Sequence, residues 1–447
     1  MKNILILGAG FSSTLMINYL LKKSVENNWK VKVGDISLEL AKNKVGKHPN
    51  GTAFQFDIHN EQQKQAEIAN ADVVVSFLPA MMHPIVAKEC LKQGKNMVTA
   101  SYVSKEMKEI APEVKAKGLI FLNEMGVDPG IDHMSAMRVI NNIRNKGGKI
   151  KAFYSNTGAL MAPESDNNPW HYKFTWNPRN VIVAGQGTAK YLERGNIKYI
   201  SYPQLFKRTF RIKVHDLGEF DVYANRDSIS YREIYGLNDI ETILRGTMRR
   251  PGYCQAWDIF VQLGLTDDTY IIDNSEKLTY RDFINMYLPY DNTLSVEDKI
   301  CRIFNLTMNS QEMNMLKWCG IFEKKSIGLK DATPAKMLQH LLEEKWKLEK
   351  GDKDMTVMQH IFKYELNHKL YQITSSMVVK GKDEVETSMT ITVGMPVAIA
   401  TEMLLKGEIN VTGVLIPVIP ELYNPILNKL EKLGIRFIEE EQEISQL

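Results

Sequence analysis

Apolar and polar positions along the first 128 residues follow two alternating periods. Short aliphatic and β-branched runs read as six strands: KNILILGAG (2–10), KVKVGD (30–35), TAFQFDI (52–58), ADVVVSFLP (71–79), KNMVTASY (95–102) and LIFLNEMG (119–126). Between them FSSTLMINYLLKK (11–23), PIVAKECLKQG (84–94) and KEMKEIAPEVKAKG (105–118) carry apolar residues at helical spacing. Strands buried on both faces and alternating with helices predict an α/β fold with a doubly wound parallel sheet of the Rossmann kind.

The alternation stops near 150. KIKAFYSNTGAL (149–160), the long run 199–225, HKLYQITSSMVVKG (368–381) and VETSMTITVG (385–394) read as antiparallel strands. The segment 236–355, with ETILRGTMRR, RDFINMY and HLLEEKWKLEKGD, reads as mostly helical and strongly charged. MPVAIATEMLLKGEINVTGVLIP (395–417) reads as a helix returning to the first domain. The expected organisation is a nucleotide domain from 1–128 and 394–447, an α+β substrate-binding and dimerisation domain from 129–235 and 356–393, and an inserted helical domain over 236–355.

Composition narrows the function classes. Lys+Arg 56 against Asp+Glu 53 gives +3 without a dense basic block, which argues against nucleic acid as a partner. Cys90, Cys254, Cys301 and Cys319 lie far apart, without metal-ligand spacing, and read as thiols in a reducing compartment. The N-terminal ILIL is too short for a signal sequence, and no apolar run approaches the ~20 residues of a membrane span. A soluble, cytoplasmic protein with no membrane partner is expected.

Gly8 and Gly10 supply the first two glycines of a G-x-G-x-x-G turn, and Ser13 stands where the third would be. The first makes the tight turn, the second lets the backbone approach a pyrophosphate at a helix N-terminus, and the third only eases helix–strand packing, where serine is small enough. Asp35 ends the second strand, where a carboxylate accepts hydrogen bonds from the adenosine ribose and repels a 2′-phosphate. No arginine follows it directly in GDISLEL, so the expected cofactor is NAD, with NADP the alternative. Asp57 and Ile58, closing the third strand, are candidates for the adenine side, a turn being the equal alternative.

Ligands of such sheets lie beyond the carboxyl ends of the strands. Three ends lead there: SFLP (76–79), ASY (100–102) and NEMGVDPGIDH (123–133). In the last, Asp128 precedes a proline that holds it extended, and Gly126 and Gly130 permit close approach of backbone to ligand. The plainer reading is an interdomain turn with Asp132 capping the next helix. A metal site built on Asp128, Asp132 and His133 lacks a supporting ligand pattern, and none is expected. Arg226, Arg245, Arg249 and Arg250, near glycine, threonine and tyrosine in what reads as loop, suit capture of carboxylates. VIVAGQGTAKYLERG (181–195) is set aside as a second nucleotide loop, because it reads on into an amphipathic helix.

GAGF, HPIVAKEC, ASYVS, NEMGVDPGIDH, NNPWHYKFTW, NRDS, LRGTMRRPGY, TVGMPVAIA and LLKGEI occur in this order over nearly the whole chain. Together they resemble the glutamate-forming saccharopine dehydrogenases. The resemblance implies the reaction saccharopine + NAD(P)+ + water to glutamate, 2-aminoadipate 6-semialdehyde and NAD(P)H, and a homodimer. Motif by motif it implies that Ser101 and Tyr102 touch saccharopine, Tyr102 near the reacting amine, and that Asp128 binds an amine or shuttles a proton. Arg226, Thr247, Met248 and Arg249 would hold carboxylates. Gly10, Phe11, Ser12 and Ser13 would line the pyrophosphate. Ser76, Phe77, Ala100, Val127, Phe174, Thr175 and Trp176 would border the ribose and nicotinamide.

Two positions depart from the family pattern. Asp35 stands where fungal members carry an arginine suited to NADP, and Thr157 in SNTGALMAPE replaces a cysteine, which moves any proton transfer to Asp128, Tyr102 or water. A sibling imine reductase such as carboxynorspermidine dehydrogenase is the alternative; its substrate has fewer carboxylates for Arg226 and Arg249. A nucleotide-binding regulator without catalysis is the remaining class, against which the presence of Tyr102 and Asp128 argues.

Overall fold

The apolar runs of the N-terminal segment become β1 (Lys2–Leu7), β2 (Trp29–Asp35), β3 (Gly51–Gln55), β4 (Val73–Ser76), β5 (Asn96–Thr99) and β6 (Ile120–Leu122) in a computed structural model that describes residues 1–446. Gly413–Leu415 adds a seventh strand beside β6, giving the order 413–415, β6, β5, β4, β1, β2, β3, all parallel. The connecting helices α1 (Thr14–Asn27), α2 (Leu38–Val45), α3 (Glu61–Ala69), α4 (His83–Gln93) and α5 (Lys105–Ala116) cover its faces. The strand order reverses between β1 and β4. There Leu7 pairs with both Gly34 and Ser76, and Ser76 pairs with Thr99, so the strands end level along one edge.

The chain divides into two compact units, 1–149 with 366–368 and 377–439, and 150–365 with 369–376 and 440–447. The first boundary thus lies at 149/150 rather than at 128/129. Helix α6 (Ile131–Asn145) stays with the parallel sheet because its apolar face packs on the helix Pro420–Lys432, and Asn141 Nδ2 donates to the Tyr423 hydroxyl at 2.8 Å.

VETSMTITVG is not a strand. Thr387 caps a helix over Ser388–Lys406, its hydroxyl accepting the Thr390 N–H at 3.1 Å. Alternating threonines mimic a strand, yet the Thr392 and Thr401 hydroxyls donate to carbonyls one turn back, so the helix buries them at no polar cost. With 19 residues it is long and apolar enough to cross a membrane, contrary to the run length expected, and most of it is buried inside the first unit. Gly394 lets it approach α1: a Cβ there would lie 3.2 Å from the Ser12 carbonyl oxygen.

The second unit is built on a nine-stranded mixed sheet of β7 (Lys149–Met161), β8 (Ala189–Glu193), β9 (Asn196–Ile200), β10 (Phe210–Lys213), β11 (Glu219–Ala224), β12 (Thr242–Arg249), β13 (Asp354–Leu366), β14 (Lys369–Lys380) and Phe437–Ile444. Two expectations change here. ETILRGTMRR holds a central strand: β12 runs antiparallel to β11 and parallel to β7, almost wholly buried, and therefore shows no alternation. TAKYLERG forms the β8–β9 hairpin, not a helix; Arg194 and Gly195 take positive φ, as a two-residue hairpin turn needs. The helices of 253–345 share one core with sheet residues such as Tyr191, Tyr223 and Leu244, and so do not enclose a core of their own.

Candidate active site

The level strand ends of the first unit carry the predicted cofactor residues. Gly8, with φ of 105°, donates its N–H to the Gly34 carbonyl, and a Cβ on it would lie 2.6 Å from the Phe77 carbonyl oxygen. Gly10 has φ of −64° and ψ of 179°, and a Cβ there would meet nothing within 4 Å. The space beside Gly10 is open, as a pyrophosphate at this helix start requires. Ser13 fills the third position, fully buried, with its hydroxyl on the Gly10 carbonyl at 2.8 Å. Phe11 is exposed at the same edge, and Ser12 is half-buried beside it.

Asp35 closes β2 with its carboxylate turned back to the turn: one oxygen accepts the Ala9 N–H at 2.7 Å and the other the Ser37 N–H at 2.9 Å. Asp57 and Ile58 lie beyond β3, which ends at Gln55. Asp57 is exposed and accepts the His59 N–H in a local turn, while Ile58 is a core residue.

Gly8 and Gly10 therefore fail differently. Gly8→Ala is expected to lower Tm, since both the clash and the positive φ cost stability, about 1–3 kcal/mol for the φ alone. Gly10→Ala keeps its backbone and its Tm but places a methyl in the open space. NADH affinity should fall by roughly tenfold or more, read by fluorescence titration beside a melting curve.

Residues 123–130 hang from the end of β5: the Glu124 N–H donates to the Ser101 carbonyl at 3.0 Å and the Met125 N–H to the Thr99 carbonyl at 3.2 Å. The Asp128–Pro129 peptide is cis. Gly126 and Gly130 serve the loop itself rather than a ligand, a correction to their expected role. A Cβ on Gly130 would lie 2.0 Å from the Gly126 carbonyl oxygen, and the Gly126 N–H donates to the Pro129 carbonyl at 2.9 Å. Asp132 caps the loop by accepting the Gly130 N–H at 2.6 Å, and His133 is buried against Glu124 at 2.7 Å. Asp128 is half-buried, Val127 buried, Ala100 and Ser101 half-buried, and Tyr102 46% exposed, an aromatic surface open to a ligand.

Sequence reading missed His83. At the first position of α4 it is 4% exposed, with Nδ1 2.8 Å from Ser76 Oγ and Nε2 2.7 Å from Ser101 Oγ. Burial holds its pKa down at about 4, so the ring is neutral.

In the second unit, Thr247, Met248 and Arg249 lie on β12 rather than in a loop, with Thr247 opposite Tyr223 on one side and Thr157 on the other. Arg249 is 4% exposed, and the rings of Tyr172, Tyr253 and Tyr223 surround its guanidinium at 5.1, 5.2 and 5.8 Å. Nη1 donates to its neighbour's carbonyl, Nε has no partner, and among the described residues no carboxylate pairs with it. Asp221, across the strand pair, is engaged by Arg211 at 3.0 Å. Among the described residues, Asn156 and the Thr157 and Thr175 hydroxyls are also buried without partners. Buried polar atoms left without partners are what a polar ligand satisfies when it binds. Phe174 packs in an aromatic cluster with Tyr172 and Trp346, with Trp176 at its margin. Arg226 is exposed, with φ of 42°. Arg245 stacks on Tyr231 at 4.1 Å and Arg250 on Phe220 at 4.5 Å, which gives both a packing role.

Comparison with known proteins decides the family. Residues 4–122 match the saccharopine dehydrogenase NADP binding domain, and residues 126–435 the saccharopine dehydrogenase C-terminal domain. The chain belongs to the saccharopine dehydrogenase family. It is 34% identical to saccharopine dehydrogenase [NADP(+), L-glutamate-forming] of Schizosaccharomyces pombe over 98% of this chain and 99% of that one. It is 33% identical to mitochondrial alpha-aminoadipic semialdehyde synthase of Rattus norvegicus, covering 98% of this chain and 47% of that protein. The apo saccharopine dehydrogenase (L-Glu forming) of Saccharomyces cerevisiae superposes with a TM-score of 0.90 at 31% identity, over 99% of this chain and 100% of that one. The first unit is thus a nicotinamide dinucleotide domain, in keeping with the glycine turn described above.

Proposed function

We propose that the protein oxidises saccharopine with NAD+ and water to glutamate and 2-aminoadipate 6-semialdehyde. The observation that carries this reading is the match to glutamate-forming relatives over the full length of both chains, 34% identical in the Schizosaccharomyces pombe case. The buried Arg249, which no carboxylate pairs with among the described residues, supports it, since saccharopine carries three carboxylates. When bound, the nicotinamide accepts hydride from the carbon next to the secondary amine.

The chain's own groups do the rest. Gly8, Gly10, Phe11, Ser12 and Ser13 hold the pyrophosphate, and Asp35 faces the adenosine ribose. Within the first unit, Ser76, Phe77, Ala100 and Val127 border the ribose and nicotinamide. Arg249 grips a carboxylate, helped by Thr247, Met248 and Arg226. Ser101 and Tyr102 meet the substrate near the reacting amine. Asp128 takes the amine proton that must leave before an imine forms and returns a proton as water cleaves that imine. Holding the reacting carbon in place supplies most of the rate. A homodimer rests on the family resemblance, and a cytoplasmic location on the four free cysteines.

The test is absorbance of reduced cofactor with purified protein and saccharopine, run with NAD+ and NADP+ in parallel. Reduction that requires saccharopine is the expected result. No reduction with either cofactor overturns the reading and moves weight to a sibling imine reductase. The likeness to homospermidine synthase of Legionella pneumophila, with a TM-score of 0.53 at 10% identity, shows the shared fold alone.

A further inference from the structure

His83 bridges two side chains that the proposed reaction uses on different ligands. Ser76 ends β4 on the cofactor side, and Ser101 follows β5 on the substrate side. The imidazole stands between them, bonded at both nitrogens, at 2.8 Å to Ser76 and 2.7 Å to Ser101. Thr99 Oγ1 lies 3.5 Å from Nε2 and also accepts the Ser101 N–H at 3.3 Å, so both the backbone and the side chain of Ser101 are held. Ser76 and Thr99 are 0% and 1% exposed, so the chain of hydroxyls and ring is shielded from water along most of its length.

A neutral imidazole has one N–H and one lone pair. It donates at one nitrogen and accepts at the other, so the two serine hydroxyls cannot orient independently. If Nε2 carries the proton, Ser101 receives it and keeps its own O–H for a ligand acceptor, while Ser76 donates to Nδ1. The other tautomer reverses every bond and leaves Ser101 offering only a lone pair to a ligand donor. A charged ring would donate at both ends and permit only the first arrangement at Ser101. The burial that keeps the ring neutral therefore keeps both arrangements open.

We propose that His83 is a positioning residue of the reaction, holding Ser101 on the substrate side and Ser76 on the cofactor side in place and coupling the orientation of one hydroxyl to that of the other. The substrate arm rests on the functional reading above; the cofactor arm does not. Asparagine and glutamine separate the two arms. The Asn amide reaches about as far as Nδ1 and so serves Ser76, whereas the Gln amide reaches Nε2 and serves Ser101.

The experiment combines His83→Phe, His83→Asn, His83→Gln, Ser101→Ala and the His83→Phe/Ser101→Ala double variant. It measures saccharopine kinetics, NADH binding by fluorescence, and Tm. Loss of a hydrogen bond that leaves a partner unsatisfied predicts a fall in kcat/KM for saccharopine of about ten- to hundredfold in His83→Phe. His83→Gln should recover most of that loss and His83→Asn little of it. The double variant should be no worse than Ser101→Ala alone, within about twofold, because both changes remove one interaction. Losses that multiply, or a His83→Phe enzyme within about twofold of wild type, overturn the proposal. If His83→Phe does not fold, the contrast between the Asn and Gln variants decides, and equal losses in both sink it. If the wild-type protein does not turn over saccharopine, the functional reading has failed separately. NADH affinity then decides for His83: retained in His83→Asn and weakened in His83→Gln supports it, and equal affinity refutes it.

Discussion

Arg249→Met is expected to cut kcat/KM for saccharopine by roughly 30-fold to a few thousandfold, because losing one partner of a buried charge pair costs about 2–5 kcal/mol. The same variant should melt no lower than wild type without ligand. Arg249 is 4% exposed with Nε unpartnered and, among the described residues, no carboxylate partner, so the ligand-free fold carries an incompletely compensated cation. Desolvating a guanidinium costs several kcal/mol, and the surrounding tyrosines return about 2 kcal/mol through cation–π attraction. Methionine matches much of the side chain's length and needs no counter-charge. Wild type should gain Tm on adding saccharopine, since a ligand that binds only the folded state stabilises it, and the variant should lose that gain. Thermal melts with and without saccharopine, beside initial rates, check both halves. A variant that melts lower yet keeps its activity would make Arg249 a structural clamp for Tyr172, Tyr223 and Tyr253.

The first unit was legible because its strands are buried on both faces. A strand such as β4, VVVS, needs apolar residues at every position, and its end is marked by chemistry that only a ligand or a turn explains. β12 obeys the same rule but was hidden, because Arg245 and Arg249 interrupt its apolar run. Those arginines are buried by stacking on aromatic rings contributed by distant segments, such as Tyr231 for Arg245 and Tyr172 for Arg249, and local pattern cannot register that. The start of the helix Ser388–Lys406 failed for the opposite reason: its threonines satisfy themselves within the helix, so a β-like composition folds as α. His83 left a faint signal, a histidine opening a helix a few residues after SFLP. Only the pairing of Ser76 with Thr99 across adjacent strands brings Ser76 and Ser101 within reach of one ring. Gly126 and Gly130 show the reverse error, since two glycines beside an aspartate look like a ligand cradle when their own loop consumes the space.

NAD+ is expected to be preferred over NADP+ by about a hundredfold in kcat/KM, the size of effect that several kcal/mol of like-charge repulsion at Asp35 would give. Its two oxygens are fixed by the Ala9 and Ser37 N–H groups, so the carboxylate cannot swing aside from a 2′-phosphate. That geometry also gives Asp35 a second task, bracing the glycine turn through Ala9, and the two tasks separate by substitution. Asp35→Asn keeps an oxygen for the Ala9 N–H and removes the charge; NADP+ use should rise roughly tenfold while NAD+ use falls only modestly. Asp35→Leu removes both functions, and either cofactor should then bind poorly. The fungal relatives carry NADP(+) in their names, so the opposite outcome has a definite meaning. A wild-type enzyme that prefers NADP+ would show that the carboxylate is spent wholly on the Ala9 and Ser37 amides. The 2′-phosphate would then have to be met by another cation at that edge.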